Sequence, residues 1–573
     1  MEKGKIAKID FSEERIARQA DKYYNEGKYF SALRLAYRQY ETYGGDGEVF
    51  ARLCDIYEGM NLHGSAVNWW FRYLDIADEE ELPDIYEGLA INFLNLGNET
   101  QSAFYYNQLI DSDASIPEET KMDIVDAFSK DKRDNFRFVY PPKLADYSKE
   151  IEMGSRALKM GDCKRAIHTL DAVAEGAKGY EKAKELQAVA YLLSGETDQA
   201  EKICLQLLQT YPDDIRVLAT LSAVYLEQGK KEESKALALR LYALKQDSAE
   251  DLYKVATVCC ENGLHEQAFE KFCQLEEKIP YDGRMLYFKA VSAYKCGKIK
   301  QAEQAFDMLC TVYPDAEVAK YYLQAIRLLN DGETLPSDQE PSYFYNLPQG
   351  ERESRCRSLI HIGKCPKDEA QLFGLIALHD GYFRWCFDEM DGADHDLQYL
   401  ALATAEHVRA DDFIREVLLD DEVLDILKIE TLRMLYTRNE DITIGIVLCH
   451  IYRKVRLLKI KVGRKRHKKF IQAYAKIASK FVAVQESYGK KLKATAESLY
   501  TAIEENDAFD LVNSEDDLAC AIFLLSGIKD LGRDIDDVAK AFEANTENVQ
   551  AIMRVAKGET KRENDKEFGD EID

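Results

Sequence analysis

Five residues in one stretch, Cys356, His361, Cys365, His379 and Cys386, are of the types that hold zinc. Thiolate and imidazole ligands usually arrive as closely spaced pairs of one kind. Here there is no CxxC, and the C-x4-H-x3-C spacing matches no strong metal pattern. The same region holds His379-Asp380 and His395-Asp396, with Asp388, Asp391 and Asp394 between them. Metal phosphohydrolases pair histidine with aspartate in this way, but Asp391-Gly392-Ala393-Asp394 reads equally as an exposed loop. No Walker loop, GxGxxG, GxSxG or HExxH is present. The expectation is a protein that is not an enzyme, with no cofactor and no metal.

The second chemistry is electrostatic. The chain carries a formal net charge of −27, yet residues 442–485 contain no Asp or Glu. That stretch holds Arg453, Lys454, Arg456, Lys459, Lys461, Arg464, Lys465, Arg466, Lys468, Lys469, Lys476 and Lys480. Phosphate binding needs such cations, and the interleaved Tyr452, Phe470, Tyr474 and Phe481 have faces on which bases can stack. Arg453, Lys454, Arg464, Lys465, Arg466, Lys468 and Lys469 are therefore candidates for DNA or RNA contact. Against this, Phe470, Tyr474 and Phe481 fall at helical spacing, as core residues do. The cations also suit a solvated loop paired with an acidic surface of the same chain.

The elements that position these groups are announced by glycine. Gly161, Gly195, Gly229, Gly263 and Gly297 stand 34 residues apart, the length of two short antiparallel helices with their turns. Five residues after each comes a small side chain: Ala166, Ala200, Ser234, Ala268 and Ala302. Close helix crossings require small residues there. Leu170, Cys204, Ala238, Phe272 and Phe306, then Val173, Leu207, Leu241, Leu275 and Leu309, continue the same face, and Pro212, Pro280 and Pro314 end three of the units. The sequence predicts an all-α chain whose middle is an α-solenoid.

On these residues the chain resembles the tetratricopeptide repeat family over about 14–330, most clearly at Tyr191-Gly195-Ala200-Leu207-Pro212 and its copies. A weaker run, Tyr23-Gly27-Ala32, Tyr57-Ala66-Trp70 and Phe93-Gly97-Ser102-Tyr106, precedes it. The resemblance implies a scaffold or adaptor that binds a protein or peptide segment on the concave face of the first helices. Candidate partner-binding residues there are Leu158, Leu192, Leu226, Tyr253, Tyr287 and Tyr294. One member type grips a C-terminal carboxylate through an asparagine on that face. Ser155, Val189, Ala223, Thr257 and Val291 hold that place here, so the clamp is absent.

Domain boundaries follow from where the period starts and stops. Degenerate repeats are expected over 1–110, an irregular joint with Pro117, Pro141 and Pro142 over 111–146, and the solenoid over 147–332 with a closing helix from Val318 to Leu329 that ends at Gly332. Pro336, Pro341 and Pro348 mark a linker over 333–351. Irregular, HEAT-like helical hairpins follow over 352–440. The basic segment, 441–470, begins with the β-branched run Ile442–Tyr452. It reads either as a β-hairpin over 442–462, turning near Arg453-Lys454, or as an amphipathic helix pair.

A five-helix bundle closes the chain, with helices near 465–488, 491–505, 514–528, 534–543 and 546–556. Over 468–556 it resembles a single cyclin-box repeat, its last two helices forming a helix-turn-helix module. Ala539, Val549 and Ile552 match that pattern, whereas Glu543 replaces the usual turn glycine. The resemblance implies an alternative function as a nucleic-acid-associated transcriptional regulator. Thr546, Glu547, Asn548 and Gln550 would face DNA, and they carry an acid and no base.

The charged tail 557–573 reads as disordered. No apolar run approaches the 18 or so residues that span a bilayer, and Met1-Glu2-Lys3-Gly4-Lys5 lacks a signal peptide's apolar stretch. Thirteen scattered cysteines, Cys204, Cys259 and Cys520 among them, suit reduced thiols. A cytoplasmic protein with no membrane partner is expected.

Overall fold

The computed structural model describes residues 12–112, 146–330, 339–388, 395–481, 485–528 and 535–558, with a few isolated positions besides. Most of the expected joint, the end of the closing helix at Gly332, the loop Asp391–Asp394 and the tail beyond 558 lie outside the described residues. The chain divides into two compact units. One joins residues 1–128 to 350–387 and 392–573; the other is 129–349 with 388–391.

The first unit opens with three helical hairpins: α1 (Glu13–Asn25) with α2 (Tyr29–Tyr43), α3 (Gly47–Gly59) with α4 (His63–Ile76), and α5 (Leu82–Asn95) with α6 (Glu99–Ser112). The small residues Ala32, Ala66 and Ser102 are fully buried at their crossings. Gly27 and Gly97 turn the first and third hairpins in the left-handed region, and Asn61 does so in the second at φ 58°. Asparagine is the residue that best replaces glycine there.

Among the described residues the second unit contains five hairpins and a closing helix. In order they are α7 (Ser148–Lys159), α8 (Cys163–Asp171), α9 (Tyr180–Leu193), α10 (Thr197–Thr210), α11 (Ile215–Glu227), α12 (Lys231–Ala243), α13 (Ala249–Glu261), α14 (His265–Glu276), α15 (Gly283–Lys295), α16 (Ile299–Val312) and α17 (Glu317–Asn330). The five ladder glycines all sit at φ between 69° and 80°, ending the first helix of each pair. There a residue with a Cβ is strained. The small residues five positions on are all fully buried. Where alanine gives way to Ser234, its hydroxyl meets that of Ser222 at 2.8 Å, satisfying both polar groups inside the stack.

The first unit resumes with α18 (Gln349–Lys364), α19 (Lys367–His379), α20 (Tyr382–Asp388), α21 (His395–Val408), α22 (Asp411–Leu419) and α23 (Asp425–Thr437). Then β1 (Ile442–Leu448) pairs antiparallel with β2 (Ile451–Leu457), with Leu448 opposite Ile451. Of the two readings of this stretch the hairpin is the one observed, but its turn is Cys449-His450. Arg453 and Lys454 lie inside β2. Both turn residues have positive φ, 51° and 63°, as a two-residue type I′ turn demands, without the glycine or asparagine that would have signalled it.

Partners hold that turn in place. The Cys449 amide donates to the Asp425 carboxylate at 3.1 Å, His450 Nδ1 meets Asp421 at 2.8 Å, and the Tyr105 hydroxyl of α6 donates to the His450 carbonyl at 3.0 Å. β1 packs on α22 and α23, and β2 on α4. Ile446, Val447 and Leu457 are fully buried. The first hairpins are thus one body with the sheet. Tyr452 donates to Asp75 of α4 at 2.9 Å, and Gly445 leaves the space that this carboxylate fills.

The bundle comprises α24 (His467–Phe481), α25 (Glu486–Glu505), α26 (Glu515–Leu525), α27 (Ile535–Ala541) and α28 (Thr546–Ala556), with a 3₁₀ turn at Phe509–Leu511. Glu543 sits at φ 58°, so the turn adopts the geometry of the glycine it lacks.

Candidate binding groove and basic surface

The zinc candidates are not brought together. Cys365 Sγ lies 3.5 Å from His361 Nε2, one helical turn away, while Cys386 Sγ donates to its own helix at the Tyr382 carbonyl. His379 stands exposed with Asp380 at 3.9 Å. Among the described residues no group of three or more His, Cys, Asp or Glu side chains could hold a metal ion. Asp388 has a different setting. Its carboxylate accepts from the Val318 amide and from the Tyr345 hydroxyl, both at 2.8 Å, and burial pushes its carboxyl up to about 7.

The solenoid's first helices present one residue per repeat at the same place: Leu158, Leu192, Leu226, Cys260 and Tyr294. Leu158, Leu192 and Leu226 are half-buried, and Leu193 beside them is 63% exposed. Tyr253 is half-buried, with its ring against Phe272 and Phe288. Tyr287 is 1% exposed, and what covers it is the chain itself.

Residues 341–347, which read in the sequence as linker, lie across α13, α15 and α17. The Tyr287 hydroxyl reaches the carbonyls of Ser342 at 2.9 Å and Phe344 at 3.0 Å, and the Tyr322 hydroxyl reaches that of Asn346 at 3.0 Å. Side chains alternate. Tyr343, Tyr345 and Leu347 turn to the helices, whereas Phe344 is 70% exposed, the period of an extended chain.

The two inward tyrosines each have a built slot. Tyr343 meets His265 Nδ1 at 2.9 Å, packs beside Phe288, and has the Lys295 ammonium 5.7 Å from its ring centre. Burial and the neighbouring Cys260 thiol raise the Tyr343 phenol, and burial lowers the His265 imidazole. Tyr345 stands edge-on to Tyr287 at 4.7 Å between ring centres. Leu347 is 2% exposed, and Tyr294 sits beside Glu340, which together with burial raises its phenol. The signal available in the sequence was the aromatic run Tyr343-Phe344-Tyr345 inside a proline-flanked window.

The basic segment divides in two. Arg453, Lys454, Arg456, Lys459, Lys461, Arg464, Lys465, Arg466 and Lys468 are exposed, and Lys469 is half-buried. Lys465 pairs with Asp507 at 3.5 Å, Lys469 donates to the Asn513 carbonyl, and Lys476 pairs with Asp516. Among the described residues Lys454, Arg456, Lys459, Lys461, Arg464, Arg466 and Lys468 form no ion pair. The aromatic candidates are structural. Phe470 packs on Tyr500, Tyr474 on Tyr436 and Phe481 on Phe523, with ring centres 5.0 to 5.5 Å apart, and Tyr452 is tied to Asp75. In α28, Asn548 turns inward to the Asp517 carboxylate at 2.6 Å and the Leu511 carbonyl at 3.2 Å.

Residues 157–224 match the family described as tetratricopeptide repeat, and the helical hairpins run on from them at the same 34-residue step. These residues are similar to tetratricopeptide repeats, and the described helices of the second unit form an α-solenoid. No curated protein matches it. Solved structures similar to it include yeast Tom70, at 14% identity over 95% of this chain and 96% of that one with a TM-score of 0.27. Others are the TPR2AB domain of yeast Sti1 in a pHSP90 complex (14%, 47% and 98%, TM-score 0.20) and MamA AMB-1 (16%, 33% and 94%, TM-score 0.22). Among the described residues no helix is long and apolar enough to cross a membrane.

Proposed function

We propose that this protein is a non-catalytic adaptor that binds an extended segment of a partner protein on the face of the solenoid's first helices. The observation that carries this reading is that the face already holds an extended segment, with tyrosine hydroxyls on its carbonyls and aromatic slots for its side chains. Leu158, Leu192 and Leu226 continue that face toward α7 as a half-exposed apolar row. The scattered cysteines, Cys204, Cys259 and Cys520 buried and Cys449 exposed among them, favour a reducing compartment such as the cytoplasm.

The test is affinity capture with the full chain and with a Leu158→Glu/Leu192→Glu/Leu226→Glu variant. Loss of a specifically captured protein with the variant, at unchanged helical content, supports the reading. Equal capture by both refutes it.

The exposed cations of residues 453–468 favour a second reading, contact with a nucleic-acid backbone. The inward-turned Asn548 and the packed aromatic rings argue against base recognition by α28 or by stacking. Six phosphate contacts would cost about a thousandfold in affinity between about 50 and 200 mM salt. Fluorescent DNA and RNA titrated with the full chain, and with Arg464→Glu/Lys465→Glu/Arg466→Glu/Lys468→Glu, decide it. No binding at low salt eliminates this reading.

A further inference from the structure

The segment over α13, α15 and α17 has the marks of a ligand rather than of a connection. A connection needs only to span its ends, and its backbone would be left to water. This one instead offers three carbonyls to the hydroxyls of Tyr287 and Tyr322. It buries Tyr345 and Leu347, half-buries Tyr343, and leaves the intervening Phe344 in solvent. Tyr343 and Tyr345 each place a phenol on a polar partner, His265 and Asp388 respectively. Recognition through main-chain carbonyls plus pockets for alternate side chains is how grooves read extended peptides.

We propose that this groove is a binding site for an extended partner segment of the pattern Tyr-x-Tyr-x-Leu, and that residues 341–347 occupy it in cis until such a partner displaces them. The inference rests on the reading of the first-helix face as a binding surface and names what its C-terminal half accepts. The same hydroxyls and slots serve either occupant, so the two exclude each other. A segment tethered by a short linker competes at an effective concentration of about 1 mM, so a peptide with an intrinsic Kd of about 10 µM meets a groove closed about a hundred to one. Its apparent affinity falls by about a hundredfold.

The probe is a fluorescent peptide with the sequence of residues 339–349, titrated into the full chain and into its Tyr343→Ser/Tyr345→Ser variant. The variant is expected to bind the peptide about a hundredfold more tightly than the unaltered chain. Adding Tyr287→Phe and Tyr322→Phe, which remove the hydroxyls but keep the rings, is expected to weaken that binding at least tenfold. A variant that keeps its helical circular dichroism and binds no more tightly than the unaltered chain overturns the proposal.

Should the variant not fold, hydrogen exchange on the unaltered chain decides. Amides 342–347 are expected to exchange faster when excess peptide is present, and to be unaffected by a peptide with serine for both tyrosines. Protection of those amides that the excess peptide leaves unchanged overturns the proposal. A partner captured by the full chain and lost with the leucine variant would then still leave the adaptor reading standing.

Discussion

Gly445→Ala tests the joint between the first helical hairpins and the β-sheet. A Cβ built on Gly445 lies 2.1 Å from Asp75 Oδ1 and 2.9 Å from the Tyr452 ring, against an ordinary contact of 3.4 to 4 Å. The carboxylate must retreat by more than an ångström, which breaks the 2.9 Å bond from Tyr452 and moves it off Arg415, now at 3.8 Å. Asp75 has little freedom to do so, its side chain being 8% exposed. A hydrogen bond to a charged group contributes about 1.5–3 kcal/mol, and overpacking costs about 1–3 kcal/mol, so a loss of about 3–5 kcal/mol is expected. The assay is urea unfolding followed by tryptophan fluorescence. Trp69, Trp70 and Trp385 are the only tryptophans, and all three belong to the unit containing the joint, so the signal reports that unit alone. Asp75→Ala on its own costs about 1–3 kcal/mol through the unpaired Tyr452 hydroxyl. The double variant is expected to recover about 2 kcal/mol relative to the sum, because the obstacle is gone. Strict additivity, or a Gly445→Ala variant within about 0.5 kcal/mol of the unaltered chain, would refute the argument.

Three further outcomes follow from single sites. The Asp388 carboxyl has an ordinary value near 3.8 and is pushed up to about 7 when folded, so the folded solenoid holds a proton that the unfolded chain releases over that interval. Stability conferred by this group is full below about pH 4 and is lost as pH rises through about 7. Asp388→Asn, which still accepts from Val318 and Tyr345, flattens that slope in thermal melts from pH 5 to 8. Gly229→Ala meets no atom within 4 Å but is held at φ 75°, so only backbone strain of about 1–2 kcal/mol is expected. Gly374→Ala, by contrast, places its Cβ 2.7 to 2.9 Å from three Val408 carbons and is expected to destabilise by about 1–3 kcal/mol through overpacking. Denaturation midpoints of these two variants check the distinction between strain and crowding.

How much of this was legible in the sequence depends on whether a position's requirement is met by its usual residue. The ladder glycines are read directly because a left-handed helix end strains most other side chains, and the structure has all five there. Their failure elsewhere is equally physical. Cys449-His450 meets a type I′ turn's demand through Asp421, Asp425 and Tyr105, partners more than twenty or three hundred residues away that no local pattern contains. Glu543 is similar, adopting the glycine conformation without being glycine. Residues 341–347 read as linker because Pro336, Pro341 and Pro348 are a local signal, while the hydroxyls that hold the segment come from α15 and α17. The candidates Tyr287 and Tyr294 were legible by period alone, but what lies on them was not.

The division of the first unit between both ends of the chain sets an order of events during synthesis. Tyr105 and the Tyr452 amide that donates to it are 347 residues apart. At about 5–20 residues per second, a ribosome needs roughly 20–70 s to make the second after the first. Through that interval α4 and α6 have emerged without the sheet that covers Phe93 and Tyr105. The repeats in between contact mainly their neighbours and close as they leave the exit tunnel. The repeats in the middle of this protein can therefore close before its first hairpins are complete, and through that interval Phe93 and Tyr105 lack the His450 turn that meets them in the folded chain.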